Sequence, residues 1–239
     1  MGDVAGIDGC KAGWVVVRRS AAGDGITCAV VEDLAPVFAD PGIDVVGIDV
    51  PIGLLDGAVP GGRTCDRAAR ALLGGGRASS VFSAPARPVL GARSYADAAE
   101  RSLRSSPHGL KISQQCFAIV PKIAAVDALM TPAVQGRVVE VHPECSFAML
   151  NGGVAVVEPK KRSVGRARRA ELLGRAWGMD VAAWVAAQRR SGVALDDVLD
   201  AMAACWTAGR VRVGVALRVL EAVGEGGGGV RGESRGWGG

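Results

Sequence analysis

The tripeptide Gly-Ile-Asp occurs twice near the start of this 239-residue chain, at residues 6–8 and 47–49. Each copy ends a run of apolar and β-branched residues, VAGID and IDVVGID, and such runs are typical of buried strands. A carboxylate at the end of a buried strand is poorly solvated, so it needs a proton or a cation to offset its charge. We therefore expect two neighbouring strands to deliver Asp8 and Asp49 to one edge of a sheet.

The alternation of apolar runs with glycine breaks and helical patterns predicts an α/β fold. Three strands form an opening meander, a short helix leads to the fourth strand, and the fifth strand follows a long irregular stretch. The predicted strands are VAGIDG, GWVVVRRS, GITCAVVEDL, IDVVGID and RVVEVHP, and the predicted helices cover residues 34–40, 94–104, 112–130, 163–177, 180–190 and 194–208. This order predicts a mixed five-stranded sheet flanked by helices, with a large insertion over about 56–136 between strands four and five.

A single domain is expected over residues 1–223. Residues 224–239 contain nine glycines in sixteen positions, a composition typical of a disordered tail. No stretch reaches the roughly 18 uninterrupted apolar residues of a spanning helix, and acidic residues stand where a signal peptide would be basic. The six cysteines are scattered without a C-x-x-C pair, which favours free thiols. We therefore expect a cytoplasmic protein with no membrane partner.

The predicted closing helix adds two further acids. In LDDVLDAMAACWTAG one face is apolar, and the neighbouring face combines Asp197 and Asp200 with alanines. Small residues allow this face to approach a sheet closely. An acid in the first turn also complements the helix dipole, and that interpretation stays open for Asp197. Asp200 lies deeper in the helix, where the dipole does not explain it.

A cluster of carboxylates persists only if it shares protons or binds a cation. Because the chain has two histidines and no ordered thiol pattern, a hard cation bound through oxygen is favoured, Mg²⁺ or Mn²⁺. Two such ions about 3.5–4 Å apart activate water and stabilise the leaving oxygen in phosphodiester cleavage. Residues 160–190 hold nine bases against two acids. Their arginines are expected to point outward. There they would either bind a phosphate backbone or form an ordinary solvated surface.

Seven blocks of the sequence resemble one family in order. They are GIDGCKAGW, VGIDVPIGL, CDRAARALLG, ASSVFSAPAR, LKISQQCFAIVPKI, VEVHPECSF and LDDVLDAMAACWTAG, spread over about residues 4–210. Together they resemble the DUF429 family, predicted nucleases of the ribonuclease H-like fold, and more distantly the Holliday-junction resolvases. The resemblance implies that Asp8, Asp49, Asp197 and Asp200 are metal-binding candidates. The insertion over about 56–136 has no counterpart in a minimal ribonuclease H fold, and we expect it to cover the site or to form a specificity lid.

Other polar residues are weaker candidates for the same site. Glu140 and Glu144 are further acids, or structural residues in the turn after strand five. His142 could move a proton for an attacking water, or hold the turn before Pro143. Lys11 could neutralise the cluster or contact phosphate, or be an ordinary hairpin lysine. The insertion offers donors for phosphate or base edges, or simply a polar loop, and these donors are Arg77, Ser80, Lys111, Gln115 and Lys122.

The pattern favours a metal-dependent phosphodiesterase that acts on nucleic acid or a nucleotide-like substrate. Two alternatives remain open from the sequence. The chain could be a catalytically inactive binding module for nucleic acid or another ligand. It could also be an ATP-dependent phosphotransferase in which GIDGCKAG holds a phosphate, although no second Gly-Ile-Asp meander follows residue 56. The sequence does not indicate an oligomeric state.

Overall fold

The computed structural model describes residues 1–23 and 25–218. Within them the chain forms a five-stranded sheet of β1 Asp3–Cys10, β2 Gly13–Arg19, β3 Ile26–Val31, β4 Ile43–Ile48 and β5 Val138–Glu140, in the order β3-β2-β1-β4-β5. The meander β1-β2-β3 is antiparallel, whereas β4 runs parallel to β1 and β5 runs parallel to β4. The predicted mixed sheet, with its insertion between β4 and β5, is confirmed.

The helices flank this sheet and mostly match the predicted ranges. They are α1 Ala35–Ala39, α2 Thr64–Arg77, α3 Tyr95–Ser105, α4 Gln114–Leu129, α5 Pro132–Gln135, α6 Pro143–Leu150, α7 Ser163–Trp177, α8 Val181–Ala187 and α9 Leu195–Arg212. The sequence does not predict α2, because the glycines at its end are typical of a loop, and the helix is indeed kinked at Gly74, where φ is 62°. Helix α6 was not predicted either, because its first residue, Pro143, falls at the end of the predicted fifth strand, although proline in the first turn is a helix-start signal.

The two Gly-Ile-Asp copies lie side by side in the sheet. Gly6 pairs with Gly47 and Ile7 with Ile48 in the parallel β1-β4 ladder. The amide of Asp49 continues this ladder and donates to the Ile7 carbonyl at 3.0 Å. Because side chains alternate along a strand, Gly6 and Asp8 face one side of the sheet, as do Gly47 and Asp49.

The side that Gly6 faces is covered by α9, with α7 and α8 behind it. A Cβ atom on Gly6 would stand 2.1 Å from the carbonyl oxygen of Ala201, and one on Gly47 would stand 2.6 Å from that of Ala204. Both glycines are therefore required for the helix to lie against the sheet. The predicted close contact between the small-residue face of α9 and the sheet is confirmed.

The opposite side of the sheet is covered by part of the insertion. Ile123 and Val126 of α4 pack with Ile7 and Ile48 in the core on this side, together with Phe38 of α1. The segment 56–136 thus contributes to the central core, and residues of α2 line a cleft beside Asp8 and Asp49. The predicted tail 224–239 lies outside the described residues.

The basic helix α7 differs from the prediction at one residue. Arg169 was expected to point outward with the other arginines, and this is wrong, since its side chain is 0% exposed. No helix in the part of the chain that the structure describes has the length and apolar character to cross a membrane.

Candidate functional site

Three aspartates converge at the carboxyl ends of β1 and β4. Asp8 ends β1, Asp49 directly follows β4, and Asp200 lies in the second turn of α9. One carboxylate oxygen from each lies within 4.8 Å of the other two. Asp200 is only 1% exposed. The structure therefore brings together three of the four aspartates that the sequence predicts as metal-binding candidates.

Among the described residues, the polar partners of these carboxylates leave one buried oxygen without a hydrogen bond. The amide of Gly9 donates to Asp8 Oδ1 at 2.7 Å, and Lys160 Nζ donates to Asp200 Oδ2 at 2.5 Å. Asp200 Oδ1 is buried and has no hydrogen-bond partner among the described residues. A buried carboxylate oxygen without a donor is costly, and a bound cation would satisfy it.

Burial and repulsion between neighbouring carboxylates raise the pKa of all three carboxyl groups. Burial raises the pKa of Asp8 well above its ordinary value, and the charges of Asp49 and Asp200 raise it further. Burial likewise raises the pKa of Asp49 and of Asp200 to about 7, although the ammonium of Lys160 opposes both shifts. Since a cation competes with protons for these oxygens, the cluster is a candidate metal site rather than a set of surface charges.

Asp197 lies one turn before Asp200, and its side chain caps the N-terminus of α9. Its Oδ2 accepts a hydrogen bond from the amide of Ala194 at 3.0 Å, which caps α9. Asp197 is not part of the three-oxygen group formed by the described residues. Burial raises its pKa, and its charge also raises the pKa of Asp8, so it adds negative potential to the site.

Glu140 is held by an arginine that the sequence analysis did not single out. Arg63 Nη1 and Nη2 donate to its two carboxylate oxygens at 2.7 and 2.6 Å. The same guanidinium donates to Asp66 Oδ1 at 2.6 Å. Oxygens of Asp66 and Glu140 and the sulfur of Cys65 also lie within 4.8 Å of one another. Because the Arg63 guanidinium already binds both carboxylates, this second acidic group is an ion-pair network.

Glu144 belongs to a buried ion-pair network behind the site. Arg169 Nη2 lies 2.8 Å from both of its carboxylate oxygens, and Arg77 Nη2 donates to Oε1 at 2.5 Å. Arg77, which the sequence predicts as a substrate-binding residue, is thus held by its ion pair with Glu144. Arg169 was missed because its place in a basic helix gives no signal of burial.

His142 and Ser80 meet next to the cluster. The ring Nε2 of His142 lies 3.4 Å from the Ser80 carbonyl oxygen, and its buried Nδ1 has no hydrogen-bond partner among the described residues. Burial lowers the pKa of His142. The Ser80 hydroxyl donates to the Arg77 carbonyl at 2.7 Å. Neutral His142 therefore offers one free ring nitrogen near the carboxylates.

A cleft of about 900 Å³ opens beside Asp8 and Asp49. Its wall is largely apolar and includes Phe82 and Ile119, with His142 and Lys122 among its polar residues. The cleft is large enough for a substrate with a planar or apolar group next to the charged part.

Lys122 reaches this cleft from the opposite side of the sheet. Its side chain passes over Gly9, where a Cβ atom would stand 2.6 Å from Lys122 Cδ. Its Nζ donates to the Gly13 carbonyl at 2.7 Å and lies 4.3 Å from the centre of the Trp14 ring. Lys11, Lys111 and Gln115 are exposed and lie outside the described cleft lining. Of the predicted substrate-binding lysines, the structure places Lys122 at the cleft.

One family model matches almost the whole described chain. It carries the description "Protein of unknown function (DUF429)" and covers residues 6–224. No curated protein and no solved structure matches the chain. The matched range includes Asp8, Asp49, Lys160 and Asp200.

Proposed function

The chain belongs to the DUF429 family, and from that premise and the geometry of its site we propose that it is a metal-dependent phosphodiesterase. In this proposal Asp8, Asp49 and Asp200 hold Mg²⁺ or Mn²⁺, and the substrate is nucleic acid or a nucleotide-like phosphodiester.

The observation that carries the proposal is the convergence of three carboxylates around an unsatisfied oxygen. Asp8, Asp49 and Asp200 lie within 4.8 Å of one another, and Asp200 Oδ1 is buried without a partner among the described residues. One ammonium, that of Lys160, offsets one of three negative charges. An acidic cluster kept only for stability would be expected to have its lone pairs satisfied, as those of Glu144 are.

The ligand chemistry suits a hard divalent cation. Mg²⁺ binds oxygen ligands at about 2.0–2.1 Å and usually keeps several waters, so that a few carboxylates and a substrate phosphate complete its shell. The oxygens of the three aspartates that lie within 4.8 Å of one another would supply such carboxylate ligands. When bound, the ion supplies Lewis-acid polarisation of a phosphoryl oxygen and a water of lowered pKa.

The chain's own residues would then bind and orient the substrate. Lys122 Nζ uses a hydrogen bond to Gly13 and retains donors for a phosphate oxygen. The apolar wall with Phe82 and Ile119 would contact the base or another planar group. Neutral His142, whose buried Nδ1 has no hydrogen-bond partner among the described residues, would accept a proton from an attacking water.

The sheet order adds support at the level of the fold. A meander β3-β2-β1 followed by parallel β4 and β5, with acids at the ends of β1 and β4, is what the ribonuclease H-like resemblance implies. This support is an analogy between folds, and the function rests on the site itself. All six cysteines are free thiols, which suits the reducing cytoplasm proposed as the location.

Cleavage assays test the proposal directly. Purified protein would be incubated with Mn²⁺ or Mg²⁺ and with branched, single-stranded and RNA–DNA hybrid substrates, and with a small chromogenic phosphodiester. We expect metal-dependent cleavage that falls at least about 100-fold in Asp8→Asn and Asp200→Asn, because each removes a ligand charge. Asp56→Asn, which changes an exposed acid, is the matched control.

Two outcomes would contradict the proposal. One is the absence of cleavage of every substrate with either metal. The other is cleavage that Asp8→Asn leaves unchanged, since such activity would come from a contaminating nuclease.

A further inference from the structure

Lys160 is the positively charged side chain bound to the aspartate cluster. It lies in the turn before α7, and its Nζ donates to Asp200 Oδ2 at 2.5 Å while Oδ1 remains unpartnered. Its charge also lowers the pKa of Asp8 and of Asp49, so it acts on the whole cluster. Asp200 is thus arranged with one oxygen on Lys160 and the other available to a cation.

The turn that carries Lys160 is fixed by buried groups. Arg169 Nη1 donates to the Glu158 carbonyl at 2.8 Å, and its Nη2 binds Glu144. Gly165 allows the next contact, since a Cβ atom there would stand 2.1 Å from the Pro159 carbonyl oxygen. Lys160 is therefore held in place by the backbone on its N-terminal side, unlike a mobile surface lysine.

The charges of the site limit how many ions it takes. Asp8, Asp49 and Asp200 carry three negative charges when ionised, Lys160 offsets one, and one divalent ion offsets the other two. A second divalent ion would leave these four groups with a net charge of +2 before any substrate phosphate arrives, and Asp8 and Asp200 are too buried for water to screen that charge well. We infer that Lys160 takes the place of a second metal ion, so that the three aspartates hold a single divalent cation.

This inference rests on the proposed metal centre and sharpens it. The sequence pattern was compatible with two ions about 3.5–4 Å apart. In a single-ion centre, Lys160 is a positioning residue that directs Asp200 Oδ1 toward the ion.

Counting bound Mn²⁺ tests the inference without any substrate. Metal-free protein would be titrated with Mn²⁺ by calorimetry, and free Mn²⁺ would be measured by electron paramagnetic resonance. The wild type is expected to bind one ion per chain, and Lys160→Met is expected to bind a second ion more weakly, because its two-ion state carries a net charge of +1 instead of the +2 of the wild type while the methionine keeps similar bulk. Lys161→Met, which changes the neighbouring exposed lysine, and Lys160→Arg, which keeps the charge, are each expected to bind one.

The outcomes separate the two proposals. Two ions in the wild type, or one ion in a folded Lys160→Met variant, would overturn the role of Lys160 and leave the metal centre standing. No Mn²⁺ binding by the wild type would overturn the metal centre itself. Circular dichroism checks that Lys160→Met folds, and if it does not, Lys160→Gln, which also removes the charge and carries the same expectation, takes its place in the titration.

Discussion

Gly6 of β1 lies directly beneath Ala201 of α9, so close that a Cβ atom on residue 6 would stand 2.1 Å from the Ala201 carbonyl oxygen. Asp200 directly precedes Ala201 in the helix, and Asp8 follows Gly6 by two residues in the strand. The contact between a glycine and a helix backbone therefore sets the distance between two carboxylates of the candidate site.

Gly6→Ala is expected to be strongly destabilising. The added methyl group meets backbone atoms of Ala201 and Cys205, which cannot rotate away. Overpacking of this kind costs about 1–3 kcal/mol, and rigid backbone on both sides places this variant at about 3 kcal/mol or more. Denaturant unfolding measures the loss. Gly136→Ala, where no atom lies within 4 Å of the new Cβ, should change the free energy of unfolding by less than about 1 kcal/mol.

Metal-free protein should lose stability as the pH rises from about 4 to about 7. The pKa of Asp49 is about 7 in the folded state against an ordinary value of about 4, so in this range the folded state binds more protons than the unfolded state. The free energy of unfolding then falls with rising pH. Thermal melts in EDTA at several pH values measure the slope, and Asp49→Asn should make it shallower, with the rest left by Asp8 and Asp200, whose pKa is also raised. A slope equal to that of the wild type in Asp49→Asn would refute the assignment, and exposed Asp56→Asn is the control.

Mn²⁺ should raise the melting temperature of the wild type. A ligand present at about 100 times its Kd stabilises the folded state by about 2.7 kcal/mol, which for a chain of this size is about 5–10 °C. Differential scanning calorimetry with and without Mn²⁺ measures the shift. Asp8→Asn should lose most of it, whereas Asp56→Asn should retain it. An equal shift in all three proteins would mean that Mn²⁺ binds elsewhere.

Asp197→Ala tests whether Asp197 caps α9 or binds the metal ion. Loss of the hydrogen bond from the Ala194 amide is expected to cost about 1 kcal/mol. The number of bound Mn²⁺ ions should stay the same, because Asp197 lies outside the three-oxygen group. Urea unfolding and Mn²⁺ titration on one preparation give both values. A lost ion would make Asp197 a ligand, as the sequence analysis allowed.

Glu144→Gln should reduce stability by about 3–5 kcal/mol. It leaves the fully buried guanidinium of Arg169 without a balancing charge. Glu171 forms ion pairs with Arg168 and Arg175 on the surface of α7, so Glu171→Gln should show no measurable change. Denaturant midpoints for both variants check this. Equal effects would show that the Glu144 network is not buried in solution.

The sequence by itself determined the class of fold and the central acids. Apolar runs ending in Gly-Ile-Asp predict strands with carboxylates at their ends, because both the periodicity and the chemistry are local. The alanine face of α9 likewise predicts close packing on a sheet, and Asp200 follows from its place on that face. These features needed no knowledge of distant contacts.

Only the tertiary structure decided how those acids are neutralised. Lys160, Arg63 and Arg169 lie 40, 77 and 25 residues from the acids they bind, Asp200, Glu140 and Glu144. In the sequence they stand among other basic residues with no distinguishing pattern. The physical reason is that an ion pair depends on position in space and on burial, which the packing of α2 and α7 around the sheet sets. Hence the sequence predicts the carboxylates of the candidate site, whereas only the fold shows that Lys160 is the basic residue that binds Asp200.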